Sequence, residues 1–182
     1  MLKKILIRVR FFLIAPFVNL KNEKLLKDIR RWKSICHISG NDKASLAYLL
    51  YNYKEFRNLF FFRNRGKALR IKWFKLWYPP LETLYLESKE IGGGLFIQHG
   101  FSCMIAAERI GENCWVNQQV TIGFNGHGNA PIIGDDVYVY CGAKVLGEIT
   151  IGNGAVIGAN AVVVRDVEAG TVMGGVPAKR IK

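Results

Sequence analysis

The feature that most restricts this chain is a period of six. Aliphatic or small residues stand at Ile91, Ile97, Cys103, Ile110, Val116, Ile122, Ile133, Val139, Val145, Ile151, Ile157 and Val163. Of the eleven steps between them, all but two are six residues; Cys103 to Ile110 has one extra and Ile122 to Ile133 has five. Glycine follows at Gly92, Gly111, Gly123, Gly134, Gly152 and Gly158. A second, often small, apolar residue comes four positions after the aliphatic one, as at Val120, Val137, Ala143, Ala155 and Ala161. A helix would need a period of 3.6 and an ordinary strand a period of two. Six, with glycine at the corners, means short strands turning through three equal faces, so three hexads close one triangular coil and each coil pairs with its neighbours. The coils read as 91–109, 110–132, 133–150 and 151–168, followed by a short cap. The surplus within 124–131 leaves the prism at a corner as a loop, a usual place for function.

Upstream the pattern is helical. Leu25, Leu26, Ile29 and Trp32 recur at three-to-four spacing, and Asn41-Asp42-Lys43-Ala44 reads as a helix start. A dense aromatic and basic stretch ends at Pro79-Pro80. The expected fold is therefore mainly β: a left-handed parallel β-helix of hexapeptide repeats over 81–182, behind a basic, aromatic-rich α-helical domain over 1–80. Half the residues are apolar, which excludes a disordered chain.

Charge divides the same way. Residues 1–90 hold 20 Lys and Arg against 7 Asp and Glu, a balance of +13, whereas residues 91–182 hold 6 against 7. The basic half suits an anionic partner such as a membrane surface. Lys3, Lys4, Arg8 and Arg10 precede the apolar run Phe11–Val18, which imitates a signal peptide. That run is short, broken by Pro16 and followed by no small-x-small site, so an interfacial segment or a docked helix is expected. Cys36, Cys103, Cys114 and Cys141 form no C-x-x-C pair and read as reduced, small apolar fillers, with no metal expected.

Gly92-Gly93-Gly94-Leu95-Phe96-Ile97-Gln98-His99-Gly100, Val120-Thr121-Ile122-Gly123 and Gly175-Val176-Pro177-Ala178-Lys179 resemble the serine acetyltransferase branch of the hexapeptide acyltransferases. The resemblance covers roughly residues 84–182. It implies acetyl-CoA as co-substrate, no metal, and homotrimers or dimers of trimers with active sites in grooves between prisms. The family's base falls on His99; a neutral imidazole there would take the proton of a hydroxyl attacking a thioester. Related galactoside and maltose enzymes bring CoA contacts onto Cys141, Ala159, Val164, Arg165, Lys179 and Lys182, and the serine branch adds Gly123. His127, in the protruding loop, is a rival base, a second acceptor-binding group, or a mobile loop residue.

Stacking offers a separate check. The residues above His99 in successive coils are Gln118, Cys141 and Ala159, a ladder that becomes small towards the cap. At about 4.8 Å per coil, His99 lies roughly 15–19 Å from the cap, about the reach of a CoA arm. Lys179, Arg180 and Lys182 there suit phosphates.

The serine enzymes carry Asp before the base and His before the loop proline, where this chain has Gln98 and Ala130. Gln98 and Gln118 are the candidate acceptor-binding residues, and Glu82 and Glu87 the candidate carboxylates to orient His99. The expected acceptor is a sugar hydroxyl, in the assembly of surface polysaccharide or its precursors, by a cytoplasmic enzyme at the inner face of the membrane. Serine O-acetylation in cysteine synthesis is the alternative. A non-catalytic scaffold is a third reading; nucleic acid is not an expected partner, since no recognised motif accompanies the basic residues.

Overall fold

The computed structural model describes residues 2–15, 18, 20–66, 68–126 and 128–182. Contacts divide the chain into two units, Met1–Leu81 and Glu82–Lys182. Pro16 and Phe17 of the apolar run, and His127, lie outside the described residues.

The first unit contains α1 (Leu2–Ile14), α2 (Glu23–Ile35), α3 (Asp42–Asn52), α4 (Lys54–Arg63) and α5 (Ala68–Trp77). Asparagine caps open two of them. Asn22 Oδ1 accepts from the Leu25 amide at 3.1 Å and Asn41 Oδ1 from the Ala44 amide at 2.9 Å, each satisfying a first-turn donor that the helix leaves without a partner. Leu25, Ile29 and Trp32 are buried, and Trp32 meets Tyr53 and Phe56 edge-on at 5.6 and 5.3 Å. Two buried cations tie the helices together. Arg63 pairs with Asp28 at 2.7 Å, both side chains almost wholly buried. Arg57 donates to the carbonyls of Leu50, Tyr51 and Pro79 at 2.6–2.7 Å, so it seals the end of α3 and fixes the chain at Pro79.

The second unit is a parallel solenoid. Its first coil is β1 (Leu84–Leu86), β2 (Glu90–Ile91) and β3 (Phe96–Ile97); its second is β4 (Cys103–Ile105), β5 (Arg109–Ile110) and β6 (Trp115–Val116). Next come β7 (Thr121–Gly123), β8 (Ile132–Ile133) and β9 (Tyr138–Val139), then β10 (Lys144–Leu146), β11 (Thr150–Ile151) and β12 (Val156–Ile157). The fifth coil has β13 (Val162–Val163) and β14 (Val172–Gly174), and β15 (Lys179–Arg180) folds back antiparallel on β14. Three sheets result, in the orders β1-β4-β7-β10-β13, β2-β5-β8-β11 and β3-β6-β9-β12-β14-β15. The inward aliphatic residues are buried almost completely, each contributing about 1.5–3 kcal/mol.

Three details differ from the sequence reading. The solenoid starts a partial coil earlier, because Leu84 points inward without a following glycine, and the first sheet is five strands deep rather than four. Second, the inward partner of Ile122 is Ile105, not Cys103. Cys103 belongs with the small residues Val120, Ala143 and Ala161, so the extra length lies before it, at the corner after Ile97. Third, Gly92, Gly111, Gly134 and Gly152 are required by close stacking rather than by the turn. A Cβ on Gly111 would stand 2.5 Å from the backbone of Gly134. The positive-φ corners two residues on are taken by Gly94, Asn113, Asp136 and Gly154, residue types that tolerate that conformation.

Candidate active site

The corner between the third and first sheets carries the candidate chemistry. In the upper coils it is regular. The amide of Gly142 donates to Gln118 O at 3.0 Å and that of Asn160 to Cys141 O at 2.9 Å. In the lowest of these bonds the Gln119 amide donates to Phe101 O at 3.0 Å. Phe101, not His99, therefore stands under Gln118 in this ladder, and His99-Gly100 is a two-residue bulge. His99 takes φ 61° and Ser102 φ 55°. The bulge carries the His99 side chain into solvent, and its imidazole has no hydrogen-bond partner among the described residues. Gln118, Cys141 and Ala159 keep the register expected for them, with Ile97, Val116, Val139 and Ile157 in line one strand earlier.

Beside the bulge, a line of hydrogen bonds orients Gln98. Trp115 Nε1 donates to Asn117 Oδ1 at 2.9 Å, and Asn117 Nδ2 donates to Gln98 Oε1 at 3.3 Å. With its oxygen engaged, Gln98 presents its amide NH2 group as a donor. Trp115 is itself held between Phe96 at 4.5 Å and Tyr138 at 5.8 Å. Gln118 Oε1 is buried with no donor facing it, a deficit costing about 1–3 kcal/mol that a donor on a bound molecule would relieve. Lys144 Nζ donates to Gln119 O at 2.7 Å and Gly142 O at 3.1 Å, tying two corners together. Sequence reading missed Trp115, Asn117 and Lys144; the signal for the first two was their place one coil above Phe96 and Gln98.

The candidate orienting carboxylates Glu82 and Glu87 are both exposed. Cys103 is no nucleophile. Burial pushes its thiol above the ordinary range, and Sγ lies 3.2 Å from Asn117 O. All four cysteines are free thiols, Cys103 and Cys114 buried, Cys36 and Cys141 half-buried. Among the described residues, no group of three or more His, Cys, Asp or Glu is arranged to hold a metal.

At the cap a cavity of about 370 Å³ is lined by Val163, Val164, Arg165, Met173, Pro177, Ala178 and Lys179. It unites three residues singled out from sequence: Val164, Arg165 and Lys179. Two exposed cations at an apolar cleft suit phosphate oxygens. Lys182 is not in its wall; its carbonyl accepts from the Val172 amide at 2.9 Å. Arg180 turns instead to Glu168 at 3.2 Å. Gly123 lies on the first sheet opposite Leu146, where a Cβ would meet nothing within 4 Å. Ala130, at the base of the loop, lines a separate cavity of about 340 Å³ with Glu108 and Glu148.

A family model, the bacterial transferase hexapeptide (six repeats), matches residues 130–165. The chain is 42% identical over 97 residues to the serine acetyltransferase of Staphylococcus xylosus, covering 51% of this chain and 45% of that protein. The second unit is serine acetyltransferase-like. The crystal structure of the Neisseria gonorrhoeae serine acetyltransferase in complex with serine aligns at TM-score 0.62 and 27% identity, over 85% of this chain and 66% of that one. That from Brucella abortus aligns at TM-score 0.68 and 22% identity over 96% of this chain, a likeness of fold. The chain spans about half the length of the curated relatives it matches.

These likenesses correct the expected acceptor. A sugar hydroxyl and surface polysaccharide assembly were expected from Gln98, Ala130 and the basic, aromatic N-terminal half, whereas the curated relatives carry the name serine acetyltransferase at about 40% identity. Gln98 keeps a hydrogen-bonding side chain next to His99, its Oε1 accepting from Asn117 Nδ2 at 3.3 Å.

Proposed function

We propose that the chain is an acetyl-CoA-dependent serine O-acetyltransferase. The observation that carries this is His99 on its bulge, exposed and without a hydrogen-bond partner among the described residues, in a solenoid that is serine acetyltransferase-like. His99 takes the proton of the serine hydroxyl as its oxygen attacks the thioester carbonyl. A tetrahedral intermediate forms, the carbon–sulfur bond breaks, and the CoA sulfur leaves with a proton returned from the imidazolium. O-acetylserine and CoA are the products. Arg165 and Lys179 hold the nucleotide phosphates at the cap, some four coils of about 4.8 Å from the bulge. The Gln98 amide and Gln118 Oε1 meet the acceptor. The working assembly is a homotrimer or a dimer of trimers, as in the family the chain resembles.

Release of free thiol from acetyl-CoA, with and without L-serine, tests the reading. Serine-dependent release is expected, falling about 10²–10⁴-fold in His99→Ala with an unchanged thermal melt. Turnover that ignores serine, or survives His99→Ala, overturns it.

A further inference from the structure

One helix of the first unit turns an apolar face outward. In α1, Ile7 and Phe11 are buried and Arg10 lies 5.6 Å over the ring of Tyr51, which fixes the rotation of the helix. Ile5, Leu6, Val9 and Phe12 are then exposed, at 50, 41, 55 and 79%. At 3.6 residues per turn, positions 5, 9 and 12 fall within an arc of about 60°. This is a continuous stripe rather than scattered exposure.

Its electrostatic setting is one-sided. Residues 1–81 carry 19 Lys and Arg against 4 Asp and Glu, a balance of +15. Two of those acids are already paired, Asp28 with Arg63 and Asp42 with Arg30. The α5 helix shows the same combination, with Trp73 and Leu76 exposed beside exposed Lys72 and Lys75.

We propose that α1 seats the chain on an anionic phospholipid surface. Apolar side chains enter the boundary of the acyl layer while neighbouring cations meet the headgroups, each cation contributing attraction that an uncharged surface lacks. A second copy is the poorer occupant, because facing the same stripes would bring two units of +15 together. The helix lies on the surface: its 13 residues compare with about 20 for a span, and no described helix is long and apolar enough to cross a membrane. Seating is independent of acyl transfer, so either reading can fail alone.

Flotation of the full chain tests this, using vesicles of phosphatidylcholine alone and of phosphatidylcholine with an equal part of phosphatidylglycerol. The protein is expected to float with the anionic vesicles at low salt and to be released as salt is raised. Val9→Asp with Phe12→Asp should lower partitioning at least about tenfold, leaving thiol release from acetyl-CoA and the thermal melt unchanged. Should the aspartates disturb the helix, Val9→Ser with Phe12→Ser makes the same test. No flotation with anionic vesicles, equal flotation with neutral ones, or full flotation by the folded variants overturns the proposal. So does a self-association, seen by sedimentation, that the variants abolish while flotation persists.

Discussion

The two units bury their apolar surface by opposite means. The solenoid uses small inward residues repeated coil after coil, such as Val116, Val139 and Ile157, with corners settled by glycine and asparagine. No single contact dominates, and its charge balance over residues 82–182 is slightly negative, 7 Lys and Arg against 10 Asp and Glu. The helical unit concentrates its specificity in a few large or charged groups: Trp32 among aromatic rings, Asp28 with Arg63, and Arg57 on three carbonyls. The contrast teaches that repetition spreads specification over many equivalent positions, whereas a short-helix cluster depends on a handful that have no equivalents.

That contrast can be broken most severely at Asp28. Asp28→Asn leaves the Arg63 guanidinium buried without its counter-charge, and should destabilise the helical unit by about 3–5 kcal/mol. Denaturant melts followed by helical circular dichroism would show the loss, while hydrogen exchange of the buried solenoid amides should shift little. A common loss in both signals would mean that the units unfold together.

The converse variant, Gly111→Val, forces a side chain against the backbone of Gly134. It should cost about 3 kcal/mol, now in the solenoid, with exchange of the solenoid amides rising first. If the melt is unchanged, the stacking requirement assigned to this glycine column is wrong.

The smallest effect sharpens the comparison through pH. Burial pushes the Tyr78 hydroxyl up to about 12, against about 10 in an unfolded chain. The folded state thus holds its proton more tightly, so this contribution is complete below pH 10 and is lost as pH rises towards 12. The cost is at most about 2 kcal/mol, absent in Tyr78→Phe. Stability against pH for the two proteins, followed by helical dichroism, should diverge only in that window.

Much of the solenoid was legible because its rule is periodic. Ile110, Val116, Ile133 and Val139 announce themselves by spacing, and the loop at 124–131 by its surplus. The corner after Ile97 was not legible. Cys103 satisfies the six-residue count, and only the pairing of Ile105 with Ile122 shows that two residues bulge beforehand. The same limit applied to the candidate site. His99, Arg165 and Lys179 were singled out from motif and charge, and Arg165 and Lys179 line one cavity. The line from Trp115 through Asn117 to Gln98 was not, since it joins residues of neighbouring coils whose side chains carry no signature alone. In the helical unit the aromatic spacing was visible, but the Asp28 and Arg63 partnership, 35 residues apart, was not.

Sequence by itself determined the parallel solenoid of hexapeptide repeats and the helices that precede it. These follow from local periodicity and composition, which each residue expresses through its own backbone and its immediate neighbours. Tertiary structure alone decided that His99 sits on a bulge, that Arg165 and Lys179 share one cleft, and which side of α1 is left apolar and exposed. Those are matters of register and rotation, set by a sum of distant contacts in which a shift of one or two residues changes which side chain faces outward.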